Sequence, residues 1–112
     1  MNHKTFGRFF VLAFLLLASI SLWAQSNTNS AKALFKSRCA LCHGEDGRGK
    51  TNLGQQMKAF DLNSAKVQRQ KNSVLKQVIV NGKGNMPPFQ ATLSDDQINQ
   101  LLKYVRTFGK KH

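Results

Sequence analysis

The sequence predicts an all-α fold, and three observations carry that reading. Apolar residues recur at helical spacing in three stretches, no two segments alternate as paired strands would, and glycine-rich loops separate the helical stretches. At 112 residues the chain holds one domain. Two cysteines are too few for a disulfide-dense scaffold, and no internal repeat points to a solenoid or propeller.

Residues 1–24 read as a secretory signal peptide. Lys4 and Arg8 form a positive start, Phe9 to Ile20 an apolar centre, and Leu22-Trp23-Ala24 ends on a small residue suited to cleavage. The run from Phe9 to Ala24 is 16 residues and includes Ser19 and Ser21, short of the roughly 20 that a membrane span takes. An uncleaved leader acting as an anchor is the alternative. No cysteine near the junction offers a lipid attachment point. Lys4 and Arg8 leave with the leader, so the mature 88 residues keep 15 basic and five acidic side chains, a formal charge of +10. They include four Phe, one Tyr and no Trp. So short a chain buries a modest core and commonly needs a disulfide, a metal or a cofactor to complete it.

Residues 25–30 make a polar, flexible arm and 31–112 the folded domain. Ser30 is expected to cap a first helix with Ala31, Leu34, Phe35 and Arg38/Cys39 at helical spacing. Gly44, Gly47, Gly49 and Gly54 then mark a loop that ordinary helix does not tolerate. Between Met57 and Lys71 the signal is weak, with one turn of helix expected after Ser64. Asn72 or Ser73 is expected to cap a second helix, with Leu75, Val78 and Ile79 on one face and Asn81-Gly82 as its stop. A second loop from Gly82 to Thr92 contains Gly84, Pro87 and Pro88. The last helix has the fullest signals. Ser94 and Gln97 form a capping box, Leu93 and Ile98 a hydrophobic staple. Asp95 and Asp96 suit the positive end of its dipole, Lys103 and Arg106 the negative end. Ile98, Leu101, Leu102, Val105 and Phe108 make one apolar stripe, ended by Gly109. Long ordered loops between few helices usually surround something.

Cys39-Ala40-Leu41-Cys42-His43 is a C-x-x-C-H sequence, the signature of covalent c-type haem attachment. Two cysteines one helical turn apart share a face, about 5–6 Å apart at Cβ, so their sulfurs can each bond one vinyl group. His43 is then carried over the ring, where its imidazole reaches iron. Competing readings leave more unexplained. A structural disulfide would close a small loop and give His43 no role. A thioredoxin-like pair, as in a thiol–disulfide oxidoreductase using Cys39 and Cys42, wants a βαβ setting. A zinc site needs four ligands, and beyond these three the mature chain offers only His112.

Met86 is the expected sixth ligand of the iron. It lies in Gly82-Lys83-Gly84-Asn85-Met86-Pro87-Pro88-Phe89, where Pro87 holds it extended and the glycines permit a sharp turn. Met57 is expected to fill core. With His43 and Met86 both bound, no open position remains for oxygen, peroxide or substrate, and the thioether raises the reduction potential. One-electron transfer follows. An open-site haem sensor or peroxidase is the reading if Met86 does not ligate.

With these motifs in place, the sequence resembles the class I (mitochondrial-type) monohaem cytochromes c, particularly the short bacterial periplasmic type, over essentially the whole mature chain. Phe35 matches the family's aromatic residue on the first helix; Cys39, Cys42 and His43 match the haem motif, and Gly44 to Gly49 its glycine-rich continuation. Asn81 to Pro87 matches the methionine loop. Leu101 and Tyr104 match last-helix positions that cross the first helix near Ala31 and Phe35. The resemblance implies a small cytochrome c fold, with three main helices and glycine-rich loops wrapped around one haem c bound through Cys39 and Cys42. Two features depart from the family. The mature chain has no Trp for a propionate contact, and no Gly-Pro-x-Leu stretch follows the haem motif. The carbonyl facing the His43 Nδ1 proton is therefore expected around Leu53 or Gly54. Phe60, Leu62 and Phe89 are expected to wall the haem.

The high positive charge implies electrostatic steering toward an acidic docking face, with two propionates lowering it by about two. Lys83 is the first candidate for that face, followed by Lys36, Lys50 and Lys58; Lys110 and Lys111 read as a solvated tail. Nucleic acid is disfavoured by the export signal and the lack of a groove-reading motif. The expectation is a periplasmic, monomeric carrier of the respiratory type. It is not an enzyme and takes no small-molecule substrate. Its partners are an acidic-faced redox protein or a membrane oxidase or dehydrogenase.

Overall fold

The computed structural model describes residues 30–110. The leader expected at 1–24, residues 25–29 of the arm, and Lys111 and His112 lie outside the described residues. The described residues form six helices and no strand: α1 (30–38), α2 (Ala40–His43), α3 (Asn52–Gln56), α4 (Ala65–Gln68), α5 (Asn72–Asn81) and α6 (Asp95–Phe108). The all-α class holds, with α1, α5 and α6 the long members.

Ser30 is already helical rather than a cap. Between α1 and α2 the backbone departs from helix at Cys39 (φ −123°, ψ −32°). The hydrogen-bond ladder nonetheless runs through the break, from Cys39 N–H to the Phe35 carbonyl at 2.8 Å and from His43 N–H to the Cys39 carbonyl at 2.9 Å. Ala31 and Phe35 are buried on the inner side of α1.

α6 is the spine of the core. Ser94 Oγ accepts from Gln97 N–H at 3.2 Å, and Ser94 N–H donates to Gln97 Oε1 at 2.9 Å, completing the capping box. Ile98, Leu101, Leu102, Val105 and Phe108 are its buried residues, the stripe read from spacing. Where α1 meets α6, Phe35 contacts Tyr104 and Phe108 at centroid separations of 5.1 and 5.3 Å, and the latter two rings meet edge-on at 5.4 Å. Phe108 also sets the loop after α2. A Cβ on Gly47 would lie 3.0 Å from its ring, at a φ of +74°, so glycine is required there twice over.

Two further expectations need correction, and two others hold with added detail. Gly54 lies inside α3 rather than in a loop. A Cβ at that position would sit 2.1 Å from the Cys42 carbonyl oxygen, so a helical glycine is what lets α3 lie against α2. Neither Asn72 nor Ser73 caps α5; Lys71 precedes it with no side-chain cap, and Asn72 Oδ1 instead accepts from Arg106 Nε at 2.9 Å. Arg106 does more than meet a helix dipole, since its guanidinium also donates to the Gln68 carbonyl at 2.8 Å and to the Gln70 carbonyl. Gly109 ends α6 with an ordinary negative φ of −71°; it is small because a Cβ would strike the Gln68 side chain. Gln68 in turn donates to the Leu62 and Val105 carbonyls at 2.6 and 3.1 Å, tying α4 to α6. The single turn after Ser64 is present as α4, capped by the Ser64 hydroxyl.

Candidate functional site

α2 carries Cys42 and His43, with Cys39 at the break just before it, and its geometry is held from outside. Thr51 Oγ1 donates toward the Leu41 and Cys42 carbonyls at 2.7 and 3.1 Å and accepts from Gly54 N–H at 2.9 Å. One hydroxyl thus joins the end of α2 to the start of α3. Gly44, at φ +76°, turns the chain out of α2, and Gly49 N–H returns to the His43 carbonyl at 2.7 Å.

His43 Nδ1 lies 3.2 Å from the Phe60 carbonyl oxygen. A carbonyl only accepts, so Nδ1 carries the proton and Nε2 is left with its lone pair. Burial holds the imidazole below its ordinary pKa, with the Phe60 bond pulling the other way. The orienting carbonyl is therefore Phe60, not one near Leu53 or Gly54. The chain comes back toward α2 later than expected, because α3 occupies 52–56 and the turn follows it. Lys58, at φ +55°, makes that turn, and Ala59 N–H anchors it on the Gly54 carbonyl at 2.8 Å.

His43 lines a crevice with two adjoining lobes, of about 180 Å³ and about 340 Å³. Cys39, His43, Phe60, Val78, Lys83, Met86 and Phe89 line both. The inner lobe is closed by Phe35, Leu62, Val67, Leu101 and Val105 from the core and by Val74, Leu75, Val78 and Ile79 of α5. Cys42, Arg38, Met57, Lys58 and Asn85 line the outer lobe. The state of α5 decides what the crevice is for. That helix has an apolar face yet no buried residue, because the face turns toward the crevice instead of packing fully on protein.

The methionine loop is held at both ends. Gly82, at φ +73°, closes α5 by donating to the Val78 carbonyl at 2.9 Å, and a Cβ there would strike the Met86 carbonyl. Lys83 and Met86 exchange backbone bonds at 3.0 and 3.1 Å, and Phe89 N–H returns to the Ile79 carbonyl at 3.1 Å.

Cys39, Cys42, His43 and Met86 are thus brought to one crevice, with Phe60, Leu62 and Phe89 in its walls as expected. Met57 is not core: it is 37% exposed and lines the outer lobe. Its place before the Lys58 turn, visible only in three dimensions, puts it there. Of the four lysines expected at a docking face, Lys83 and Lys58 line the crevice, whereas Lys36 pairs with Glu45 at 3.0 Å and Lys50 lines neither lobe. Arg38, Lys66, Gln70 and Val74 are lining residues the sequence did not flag. Arg38 alone had a signal, being adjacent to Cys39.

Cys39 and Cys42 are not joined in a disulfide. Burial, reinforced by neighbouring Cys42, pushes the Cys39 thiol up to about 11. Thiol–disulfide exchange works through a depressed thiol pKa, so the shift runs against that chemistry. No group of metal-ligating His, Cys, Asp or Glu occurs among the described residues.

A family model described as "Cytochrome C oxidase, cbb3-type, subunit III" matches residues 26–105. The chain belongs to this cytochrome c family. Among its relatives, the cbb3-type cytochrome c oxidase subunit FixP of Rhizobium etli is 35% identical over 97 residues, 79% of this chain but 32% of that protein. The chain therefore spans about a third of the length of these oxidase subunits. Cytochrome c6 of Leptolyngbya boryana is 39% identical over 78 residues, covering 70% of this chain and 88% of the relative. Among solved structures, the KustC0563 c-type cytochrome superposes with a TM-score of 0.65 at 29% identity, over 70% of this chain and 95% of the other.

Membership of the cytochrome c family implies covalent haem c with iron. The residues of this cytochrome c domain fit the group. Two cysteine sulfurs and an imidazole stand on the wall of an apolar crevice, and α5 turns an incompletely packed apolar face toward it. Among the described residues no helix is long and apolar enough to cross a membrane.

Proposed function

We propose that this cytochrome c domain is a one-electron carrier whose haem c is bonded through Cys39 and Cys42 and whose iron is held by His43 and Met86. The observation that supports it most directly is the 3.2 Å contact of His43 Nδ1 with the Phe60 carbonyl. It fixes the tautomer that leaves Nε2 free to donate to iron, and a hydrogen-bonded histidine is a stiffer, more basic ligand. Cys39 and Cys42 would hold the haem as thioethers, each S–H adding across one vinyl group with sulfur on one carbon and the proton on its neighbour. Bound there, the haem supplies a reversible ferric/ferrous couple.

The protein's contribution is to keep that couple fast and selective. Met86, restrained by the Lys83 turn and by Pro87, would hold the iron through its thioether and support a high potential. The apolar walls from α5 and α6 exclude water and keep solvent reorganisation small. If His43 and Met86 both hold the iron, no position would be left for a substrate, so the domain would act as a carrier and not as an enzyme. Lys83 and Lys58, beside the crevice, steer it to an acidic face on a redox protein or a membrane oxidase or dehydrogenase. The relatives named as cbb3-type oxidase subunits support an oxidase among these partners. Export by a cleaved 1–24 leader to the periplasm, where residues 31–112 act as a monomer, completes the reading.

The test is the near-infrared spectrum of oxidised protein matured with the haem-attachment machinery. A methionine–iron charge-transfer band, together with no carbon monoxide uptake on reduction, is the expected result. Ready carbon monoxide binding without that band would favour the open-site sensor or peroxidase.

A further inference from the structure

The crevice is apolar along α5 and α6, neither of which contributes a charged side chain to the inner lobe. The titratable and charged groups lining that lobe are Cys39 and His43, Lys66 on α4, and Lys83 after α5. Lys66 is placed unlike the other cations. Its Nζ stands 4.7 Å from the centre of the Phe60 ring, the residue whose carbonyl orients His43. Among the described residues the ion pairs engage Lys36, Arg48 and Lys76, not Lys66. Gln70, one turn on, lines the same lobe and donates to the Lys66 carbonyl at 3.3 Å. An ammonium held over an aromatic face at the wall of an apolar cavity is placed to meet an anion entering it.

We infer that Lys66 Nζ receives a propionate carboxylate of the haem, a step that rests on the haem reading above. The porphyrin's chemistry gives the direction. Its vinyl groups and its propionates lie on opposite edges of the ring. Cys42 lines the outer lobe alone, whereas Lys66 and Gln70 line the inner lobe alone. Attachment at the cysteines therefore sends the carboxylate-bearing edge toward Lys66. Lys83 lines both lobes and does not discriminate between the edges. Residues 25–112 contain no Trp, so no indole N–H competes with the ammonium for that carboxylate. An unpaired propionate favours ferric iron, so Lys66 holds the reduction potential up.

The experiment compares holoprotein of wild type, Lys66→Met, Lys66→Arg and Lys103→Met. Lys66 is exposed enough that Met opens no hole in the core, and Lys103 on α6 lies outside the crevice, so it controls for loss of one charge. Two quantities are read at one pH and low salt: the reduction potential and the carboxylate bands of the redox-difference infrared spectrum. Lys66→Met is expected to lower the potential more than Lys103→Met and to shift the propionate bands, and Lys66→Arg to restore both. Equal potentials and unshifted bands in the Lys66→Met and Lys103→Met proteins would overturn the assignment. Absorption spectra taken first separate this outcome from failure of the haem reading, which would leave all four proteins colourless.

Discussion

Asn85 ties the methionine loop to the opposite wall of the outer lobe: its Nδ2 donates to the Met57 carbonyl oxygen at 3.1 Å. The bond connects the segment bearing Met86 to the one that ends at Phe60, whose carbonyl faces His43. Asn85→Ala removes one such bond, worth about 1 kcal/mol. Exogenous imidazole is expected to bind the oxidised variant several-fold faster in stopped flow. An unchanged rate would mean the loop is held by its backbone turns alone.

Met86→Ala tests the sixth ligand. The potential should fall, the charge-transfer band should vanish, and the reduced protein should take up carbon monoxide. Retention of the band in this variant would remove Met86 from the axial role.

Gly54→Ala probes how α3 seats against α2. The added Cβ meets the Cys42 and Gly49 carbonyl oxygens at 2.1 and 2.6 Å, and neither is the tip of a flexible side chain. A loss of about 2 kcal/mol is expected in denaturant unfolding, in the range of overpacked cores. A stability equal to wild type would show that α2 and α3 can separate freely.

Arg106→Ala should cost about 2 kcal/mol, since it unpairs the Gln68 and Gln70 carbonyls and Asn72 together. Arg106→Lys should recover little, because an ammonium cannot reproduce the planar fork. Full recovery by lysine would reduce the role of Arg106 to charge.

Asp61 gives the pH prediction. Its slight burial pushes the carboxyl upward, but hydrogen bonds from the Asn63 side chain and backbone and the charges of Arg48 and Lys50 outweigh it and hold it below the ordinary range. A depressed folded value means the stabilisation is complete above the unfolded value near 4 and fades as pH falls through the folded one. Asp61→Asn should therefore be less stable than wild type at neutral pH, with the gap closing in acid. A gap independent of pH would contradict the sign.

Much of this molecule is legible in its sequence. α6 is specified locally: its capping box, its dipole charges and its stripe are all within 16 residues of one another, and each stands where the spacing put it. The haem motif and the methionine loop are also local patterns, and the fold brings them to one crevice. What escaped the sequence depends on backbone segments meeting at long range. Gly54 looks like a loop breaker until Cys42's carbonyl is seen against it, and Phe60 offers His43 a carbonyl, which every residue possesses. Met57 reads as core for the same reason. Its side chain has no packing partner until the turn at Lys58 decides which way the segment faces. Lys66 was one cation among many until Phe60 was found beneath it.

Intact mass spectrometry of the protein, exported from cells carrying the haem-attachment machinery and treated with a thiol alkylator, tests the central claim most directly. The account predicts a mass equal to polypeptide 25–112 plus one haem, with no alkylation of Cys39 or Cys42. A folded, haem-free product alkylated at both cysteines would contradict it.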